Sequence, residues 1–162
     1  MSLTLVQIRP NTGSTLDINT LDYPLSVFEI ETNIDTHEFK RMAAAGEWPS
    51  FHYPGAMTIH CEGRILGTAA TDALRSADTI SKRLALLDAV LPPITLVTAR
   101  KHGVLRIQMD GMTEAADTDI VVTQMSAPFN ALNPANIEFL ITWKGFNPWF
   151  TGVNTQTKYQ LG

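Results

Sequence analysis

Apolar and polar residues alternate with a period of two between residues 55 and 67. One side of the alternation is apolar and the other is polar and charged: Met57, Ile59, Cys61 and Ile65 against Thr58, His60, Glu62 and Arg64. Successive side chains of a strand face opposite sides of a sheet, so the pattern predicts a half-buried strand of an antiparallel sheet.

The period then changes to that of a helix. Between residues 72 and 91, apolar residues recur at spacings of three and four: Leu74, Ala77, Ile80, Leu84, Leu87 and Leu91. This spacing lines one face of a helix, and we expect that face to dock on the sheet. The opposite face is then solvent-exposed and polar, with Arg75, Asp78, Lys82, Arg83 and Asp88. Pro92 and Pro93 end the helix, because proline cannot continue its hydrogen-bond ladder.

The rest of the chain carries short strand patterns separated by turn residues. They fall at residues 3–8, 15–18, 25–31, 94–98, 104–112, 119–125 and 136–143. A polar turn is predicted at 33–38, and a short helix at 39–46. The prediction is a mainly β (α+β) fold: an antiparallel β-sandwich or barrel of about seven strands with one flanking helix over about 72–91. It forms one domain over 1–162, with a polar tail at 151–162.

Residues 39–54 combine aromatic residues with prolines and are predicted to form an extended loop or arm. Two explanations stay open: the aromatics cover the open end of the barrel, or they bury themselves against another subunit, where aromatic residues are enriched. Under the second explanation, the predicted subunit interface includes two residues after Pro148 as well. Its members are Phe39, Trp48, Phe51, Tyr53, Trp149 and Phe150.

Composition narrows the function classes. The chain has 162 residues, 17% of them charged, against roughly 25% in an average soluble domain. This low fraction favours a surface partly covered by partners. A net charge of −4 gives no basic footprint for gripping nucleic acid. One cysteine allows no internal disulfide, and no signal peptide or membrane span is evident, so we expect a cytoplasmic or particle-associated protein.

The polar residues do not form a recognisable catalytic motif. His60 and Glu62 share a strand face, so they are a candidate metal pair that would need His52 or His102 as a further ligand. Cys61 lies on the apolar side, where a small buried residue is expected rather than a nucleophile. We therefore predict no catalytic, metal or cofactor site. A β-barrel metalloenzyme using the histidines remains one alternative, and a carbohydrate-binding sandwich using Trp48, Tyr53 and Trp149 another.

Two motifs follow one another along the chain in a recognisable order. The strand ending in Glu62-Gly63-Arg64-Ile65 precedes a helix that ends at proline, and the last strand runs into the corner Asn147-Pro148-Trp149-Phe150. This order resembles the N-terminal domain of siphophage distal tail proteins. The resemblance covers about residues 3–150. It implies a tail-tube-like sandwich or barrel with one flanking helix. It also places near 39–54 an extended hairpin arm that embraces a neighbouring subunit.

The resemblance implies a structural role in the virion tail, after assembly in the host cytoplasm. Six copies would form a ring that joins the tail-tube protein to the tail-tip hub protein, and DNA would pass through it without specific binding. Six copies at −4 carry −24, so we expect an acidic bore that repels DNA. A tail-tube or tail-completion protein is the related alternative.

Overall fold

The computed structural model of the protein describes residues 2–37, 51–91 and 102–161. The elements in chain order are β1 Leu3–Pro10, β2 Leu16–Ile18, β3 Leu25–His37, β4 Phe51–Leu66, α1 Asp72–Val90, β5 Gly103–Met109, β6 Ala116–Ser126, β7 Asn136–Gly145, β8 Phe150–Gly152 and β9 Lys158–Tyr159. The predicted class, mainly β with one helix, is confirmed for the described residues.

The strands form one antiparallel sheet that curves into a half-barrel. Seven strands follow in the order β2-β1-β5-β6-β7-β4-β3, and β8 and β9 extend the sheet from β6. Hydrogen bonds therefore join the strands into a single layer, where a sandwich would have two. The core lies between the concave face of this sheet and α1.

Strand β4 is paired on both sides and carries the centre of the core. It pairs with β3 on one edge and with β7 on the other. Its predicted apolar side is buried, and Ile59 lies opposite Trp143 of β7 in the register. Gly63 belongs to the same side, where an added Cβ would lie 2.8 Å from the Phe139 ring. The period-two prediction is confirmed here.

Helix α1 begins and ends at residues with clear roles. The hydroxyl of Thr71 accepts a hydrogen bond from the N–H of Leu74, which satisfies a donor that the first turn leaves unpaired. Asp72 places a negative charge at the positive end of the helix dipole. The N–H of Leu91 donates to the carbonyl of Leu87, and extended backbone at Leu91 ends the helix. The predicted bounds are confirmed.

The predicted docking face of α1 is wrong. The side chains that the fold buries are Thr79, Leu86, Ala89 and Val90. The predicted stripe lies outward instead: Leu74 is 58% exposed, Ile80 49%, Leu84 59% and Leu91 44%. The helix thus has a second face, whose residues follow Thr79 at helical spacing, and this second face packs on the sheet.

Other boundaries also differ from the predictions. β3 continues through residues 33–37, where polar residues predicted a turn, because its ladder to β4 is made by backbone groups. The predicted polar tail contains β9, which pairs with β8. The predicted helix at 39–46 and the predicted strand at 94–98 lie outside the described residues.

Candidate assembly surface

The strands β3 and β4 continue together past the rest of the sheet. The pairing of β4 with β7 ends at Met57, opposite Gly145. The pairing with β3 runs on from Ile34 opposite Pro54 to His37 opposite Phe51. Pro54 has no N–H to donate, which suits a stretch where β4 lacks β7 on one edge. The result is a two-stranded hairpin extension at the place where an arm was expected.

The residues predicted for a subunit interface are only partly described. Phe51 and Tyr53 are strand residues of β4, where a loop was expected, and their backbones pair with β3. Their side chains lie outside the described part of the chain, as do Phe39 and Trp48 entirely. Their role at an interface stays a prediction.

The two aromatic residues after Pro148 differ from each other. Trp149 is half-buried, and the ammonium of Lys158 lies 4.3 Å from its ring centroid. This cation–π contact occupies a face that a sugar would need for stacking. Phe150 is 0% exposed and packs in the core, so its side chain has no surface to offer a partner. The interface prediction is corrected for Phe150, whose apolar contacts are satisfied within the chain.

Lys82 and Arg83 of α1 point toward the sheet and hold the helix there. The Lys82 ammonium donates to the Asp22 carboxylate at 2.8 Å and to the Leu66 carbonyl at 3.0 Å. The Arg83 guanidinium donates to the Ala127 carbonyl at 2.7 Å. The phenol of Tyr23 donates to the Lys82 carbonyl at 3.0 Å. These bonds fix the rotation of the helix and leave its leucine stripe outward.

Lys82 also forms an ion pair within the helix. Its ammonium lies 2.8 Å from the Asp78 carboxylate, whose second contact is the N–H of Thr68 at 2.9 Å. The bond from Lys82, followed by the one from Thr68, lowers the pKa of Asp78. Partial burial acts to lower the pKa of Lys82, but the bonds to Asp22 and Asp78 outweigh it and raise that pKa. Asp78 and Lys82 are therefore both charged at neutral pH.

Close approach of the chain to α1 requires a glycine. A Cβ at Gly67 would collide with the Arg75 carbonyl oxygen and lie 2.6 Å from the Thr79 hydroxyl oxygen. The Thr79 hydroxyl donates within the helix to Arg75 at 2.8 Å and lies 3.2 Å from the Ala135 carbonyl. Glycine at position 67 thus lets the face of α1 that carries Thr79 pack closely on the chain after β4 and before β7.

The candidate metal pair forms a hydrogen-bonded row on the convex face of the sheet. His60 Nε2 lies 2.9 Å from Glu62 Oε1, and His60 Nδ1 lies 3.1 Å from the hydroxyl of Thr142, its register partner on β7. Both ring nitrogens are engaged by protein groups. His102 accepts a bond from the Val122 N–H at 3.1 Å, and the His52 side chain lies outside the description. Within the described residues, no three candidate ligands come together.

Cys61 lies on the concave side of β4 with 0% exposure. Burial away from water is the main cause that raises the pKa of its thiol to about 12. A thiol needs a lowered pKa and access to act as a nucleophile, and Cys61 has neither. The prediction that Cys61 is a core residue is confirmed.

The convex face of the sheet carries an excess of negative charge. Its described side chains include seven carboxylates and five cations, a balance of −2. The carboxylates are Asp17, Glu29, Glu31, Glu62, Asp117, Asp119 and Glu138. The cations are Arg9, Arg64, Arg106, Lys144 and Lys158. Arg106 and Asp117 are paired directly, with nitrogen–oxygen distances of 2.7 and 2.9 Å.

Sequence reasoning missed the outward apolar surface around α1. The sequence contains a second set of residues at helical spacing, Thr79, Leu86 and Val90, which fits one helix face as well as the leucine stripe does. The helix is apolar on two sides, and spacing alone does not say which side faces the sheet. No helix among the described residues is both long enough and apolar enough to cross a membrane.

Comparisons with known proteins give fold-level neighbours only. No family model matches the chain, and no curated protein matches it. One similar solved chain comes from the tail of an empty gene transfer agent (GTA) particle with C6 symmetry: 12% identity, TM-score 0.46, 92% of this chain and 94% of that chain covered. Another comes from the virion of a native GTA particle: 10% identity, TM-score 0.46, with 93% and 96% covered. Overlaps at these values do not establish a shared function.

Proposed function

We propose that this chain is a structural subunit of a phage-like tail. Six copies form a ring that connects the tail tube to the tail-tip hub and surrounds the DNA channel. The observation that carries the proposal is the two-stranded extension of β3 and β4, from Ile34 opposite Pro54 to His37 opposite Phe51. It lies where the sequence resemblance places an arm that embraces a neighbouring subunit.

Two further features support an assembly role. β3 is a 13-residue strand at the end of the strand order, and among the described strands it pairs with β4 alone. A long strand edge presents N–H and C=O groups that another chain can pair with. The buried thiol of Cys61 and the engaged nitrogens of His60 offer little chemistry, which suits a building block.

The proposal assigns the convex face of the sheet to the channel. With −2 on the described side chains of this face in each subunit, a ring of six would present about −12 toward passing DNA. Such a lining repels phosphates and lets DNA slide without binding. A ring whose bore is strongly basic would refute this assignment.

Electron microscopy of the assembled tail tests the function directly. We expect density for this chain as one ring of six at the distal end of the tube. Density repeated along the whole tube would instead identify a tube protein, and density at the head-proximal end a tail-completion protein. Absence of the chain from purified particles would refute a tail role altogether.

Shortening the hairpin tests the observation that carries the proposal. Replacing residues 35–53 by an Asn-Gly turn removes the extension and keeps every strand pair between β4 and β7. We expect this variant to unfold at close to the wild-type temperature and to form no rings by light scattering and microscopy. Rings that form as in the wild type would show that the extension does not hold subunits together.

A further inference from the structure

Strands β8 and β9 form a small strap beside β6. The strap comprises residues 150–159, and it pairs with β6 at two positions, Ala116 opposite Gly152 and the pair next to it. Its two strands pair with each other at two positions as well. Phe150, at the start of the strap, is buried in the core. Segments held by few backbone bonds open more readily than the core of a protein, so the contacts of the turn 153–157 decide whether the strap stays closed.

The turn that joins β8 to β9 wraps around one carboxylate. Glu114, in the loop between β5 and β6, accepts hydrogen bonds from the backbone N–H groups of Asn154 at 2.6 Å and Thr155 at 3.0 Å, and from the Thr155 hydroxyl. A Cβ at Gly152 would collide with the same carboxylate. Gln156 has a φ of 58°, a conformation that is unfavourable for residues other than glycine. The carboxylate therefore holds together a turn that is unfavourable by itself.

Two backbone hydrogen bonds connect this turn to the strands. The N–H of Gly152 donates to the carbonyl of Thr157 at 2.7 Å, which closes the turn. The N–H of Val153 donates to the carbonyl of Ala115 at 3.1 Å, which attaches the turn at the start of β6. Ala115 is next to Glu114 in the chain, so the attachment and the carboxylate lie at the same place. We therefore expect the two backbone bonds to be lost together with the bonds to the carboxylate.

Protonation of Glu114 weakens the bonds that it accepts. The bond from the Thr155 hydroxyl is the main cause that lowers the pKa of Glu114, and the backbone N–H groups of Asn154 and Thr155 add to it. A protonated carboxyl has lost its charge and holds N–H donors less strongly. Charged and titratable groups on the surrounding elements have other partners: Arg106 with Asp117, Lys158 with the Trp149 ring, Tyr159 with Thr113, and Asp110 with the N–H of Ser2. The closure of the turn therefore follows the protonation of Glu114 itself.

We propose that Glu114 is a pH-sensitive latch for the strap of β8 and β9. When its carboxylate is ionised, the turn 153–157 is closed and the strap lies on β6. When the carboxylate is protonated, the turn opens and the strap separates from β6 as far as Phe150, which stays in the core. The latch lies within one chain, so it operates whether or not the proposed ring forms.

Amide hydrogen exchange of the full chain, followed by NMR from pH 6 to pH 3, tests the latch. The lowered pKa of Glu114 means that its contribution is present above its ordinary pKa, near 4.5, and is lost as pH falls through the lowered value. Protection of the Thr155 N–H, corrected for the intrinsic exchange rate, should fall by about threefold or more. The N–H groups of Gly152 and Val153 should lose protection to the same extent. The series ends at the lowest pH at which the N–H of Ile59 in β4 keeps its protection.

Leu132 provides the internal control for this experiment. Its N–H donates at 3.0 Å to the side-chain oxygen of Asn130, which is a neutral amide, so we expect its protection to be the same at both ends of the pH series. Equal protection of the Thr155 N–H at both ends overturns the proposal. A loss confined to Asn154 and Thr155, with Gly152 unchanged, also overturns it, because the carboxylate bonds would then break without opening the strap.

Two substitutions remove the latch at neutral pH in different ways. Glu114→Gln keeps the shape of the side chain without its charge, whereas Gly152→Ala keeps the charge and places a methyl group where the carboxylate lies. At pH 6 we expect each to lower the protection of the Val153 N–H about tenfold and to abolish its pH dependence. Glu138→Gln is the matched control, because it removes a carboxylate whose side chain is 78% exposed on β7, and it should behave as the wild type. Wild-type protection in Glu114→Gln, or an unchanged pH dependence, overturns the latch.

Discussion

β4 and α1 bury their apolar residues in opposite ways. In β4 every apolar side chain of the alternating set, from Met57 to Ile65, is fully buried, because β3 and β7 flank the strand and its concave face meets the core. In α1 the longer apolar stripe, from Leu74 to Leu91, remains largely exposed. The helix buries instead a face that mixes Thr79 and Leu86 with the polar anchors.

The difference shows what determines which side of a strand or of a helix is buried. A strand in the middle of a sheet has only two faces, and a shift by one residue would expose its entire apolar set. A helix can rotate, and here specific bonds hold one rotation. Lys82 and Arg83 donate hydrogen bonds to the carbonyls of Leu66 and Ala127, so the face of α1 that carries them is turned toward the sheet. The leucine stripe is therefore turned toward solvent.

The largest loss of stability is expected from shortening a buried side chain of the sheet core around β4. Trp143 is 1% exposed and lies opposite Ile59 of β4. Trp143→Ala removes a large buried ring and leaves a cavity, so we expect a loss of about 3–5 kcal/mol in the free energy of unfolding. Urea denaturation measures it. A loss below about 1 kcal/mol would contradict the burial of this ring.

A matched pair of leucines two positions apart tests the helix side. Leu86 is 0% exposed and Leu84 is 59% exposed. We expect Leu86→Ala to cost about 2–5 kcal/mol, and Leu84→Ala to change stability by no more than about 0.5 kcal/mol in the monomer. Chemical denaturation at low protein concentration keeps association out of the comparison. Equal losses, or a larger loss at Leu84, would mean that the stripe packs inside the subunit.

The strands and the ends of the helix could be predicted because they depend on local rules. Alternation at residues 55–67 identified β4 and its buried side, and Thr71 and Leu91 bound a helix that Pro92 and Pro93 end. The rotation of α1 could not be predicted, since it depends on carbonyls at Leu66 and Ala127, which are distant in the sequence. The extension of β3 through polar residues was missed because backbone pairing with β4 does not require apolar side chains.

The candidate surface shows the same division. An aromatic, proline-framed arm at 39–54 was predicted from composition and stays a prediction, because the structure describes only the backbone of 51–54 in this range, as the start of β4. Phe150 was assigned to the interface because it follows a proline corner. It is instead the first residue of β8, and its side chain is buried in the core. The outward position of the α1 stripe was missed because its leucines were expected to be buried.

A smaller effect, at alkaline pH, tests the burial of β4 at its cysteine. The Cys61 thiol has a pKa of about 12 in the folded chain, against roughly 8.5 when unfolded. Above pH 8.5 the unfolded chain releases this proton and the folded chain keeps it, so stability falls as pH rises toward 12. Between pH 8 and pH 10 we expect the wild type to lose about 1–2 kcal/mol more than Cys61→Ala. Parallel stability curves for the two proteins would show that the thiol is accessible.

The smallest effect concerns the anchor that turns α1 inward. Asp78 has its pKa lowered by the bond from Lys82, so it contributes stability above its ordinary pKa, near 4, and this contribution is lost as pH falls through the lowered value. Lys82→Met removes the bond. We therefore expect the stability gap between wild type and Lys82→Met to be widest at neutral pH and to narrow below pH 4. Urea denaturation from pH 7 to pH 2.5 measures the gap.

The control for this prediction is Lys144→Met, which removes the same charge from an exposed position on β7. We expect its stability curve to follow the wild type across the same pH range. If Lys82→Met also follows the wild type, then Lys82 does not hold the helix in its rotation. The outward position of the leucine stripe would then depend on the bond from Arg83 to the Ala127 carbonyl and on packing by Leu86 and Val90, which are buried.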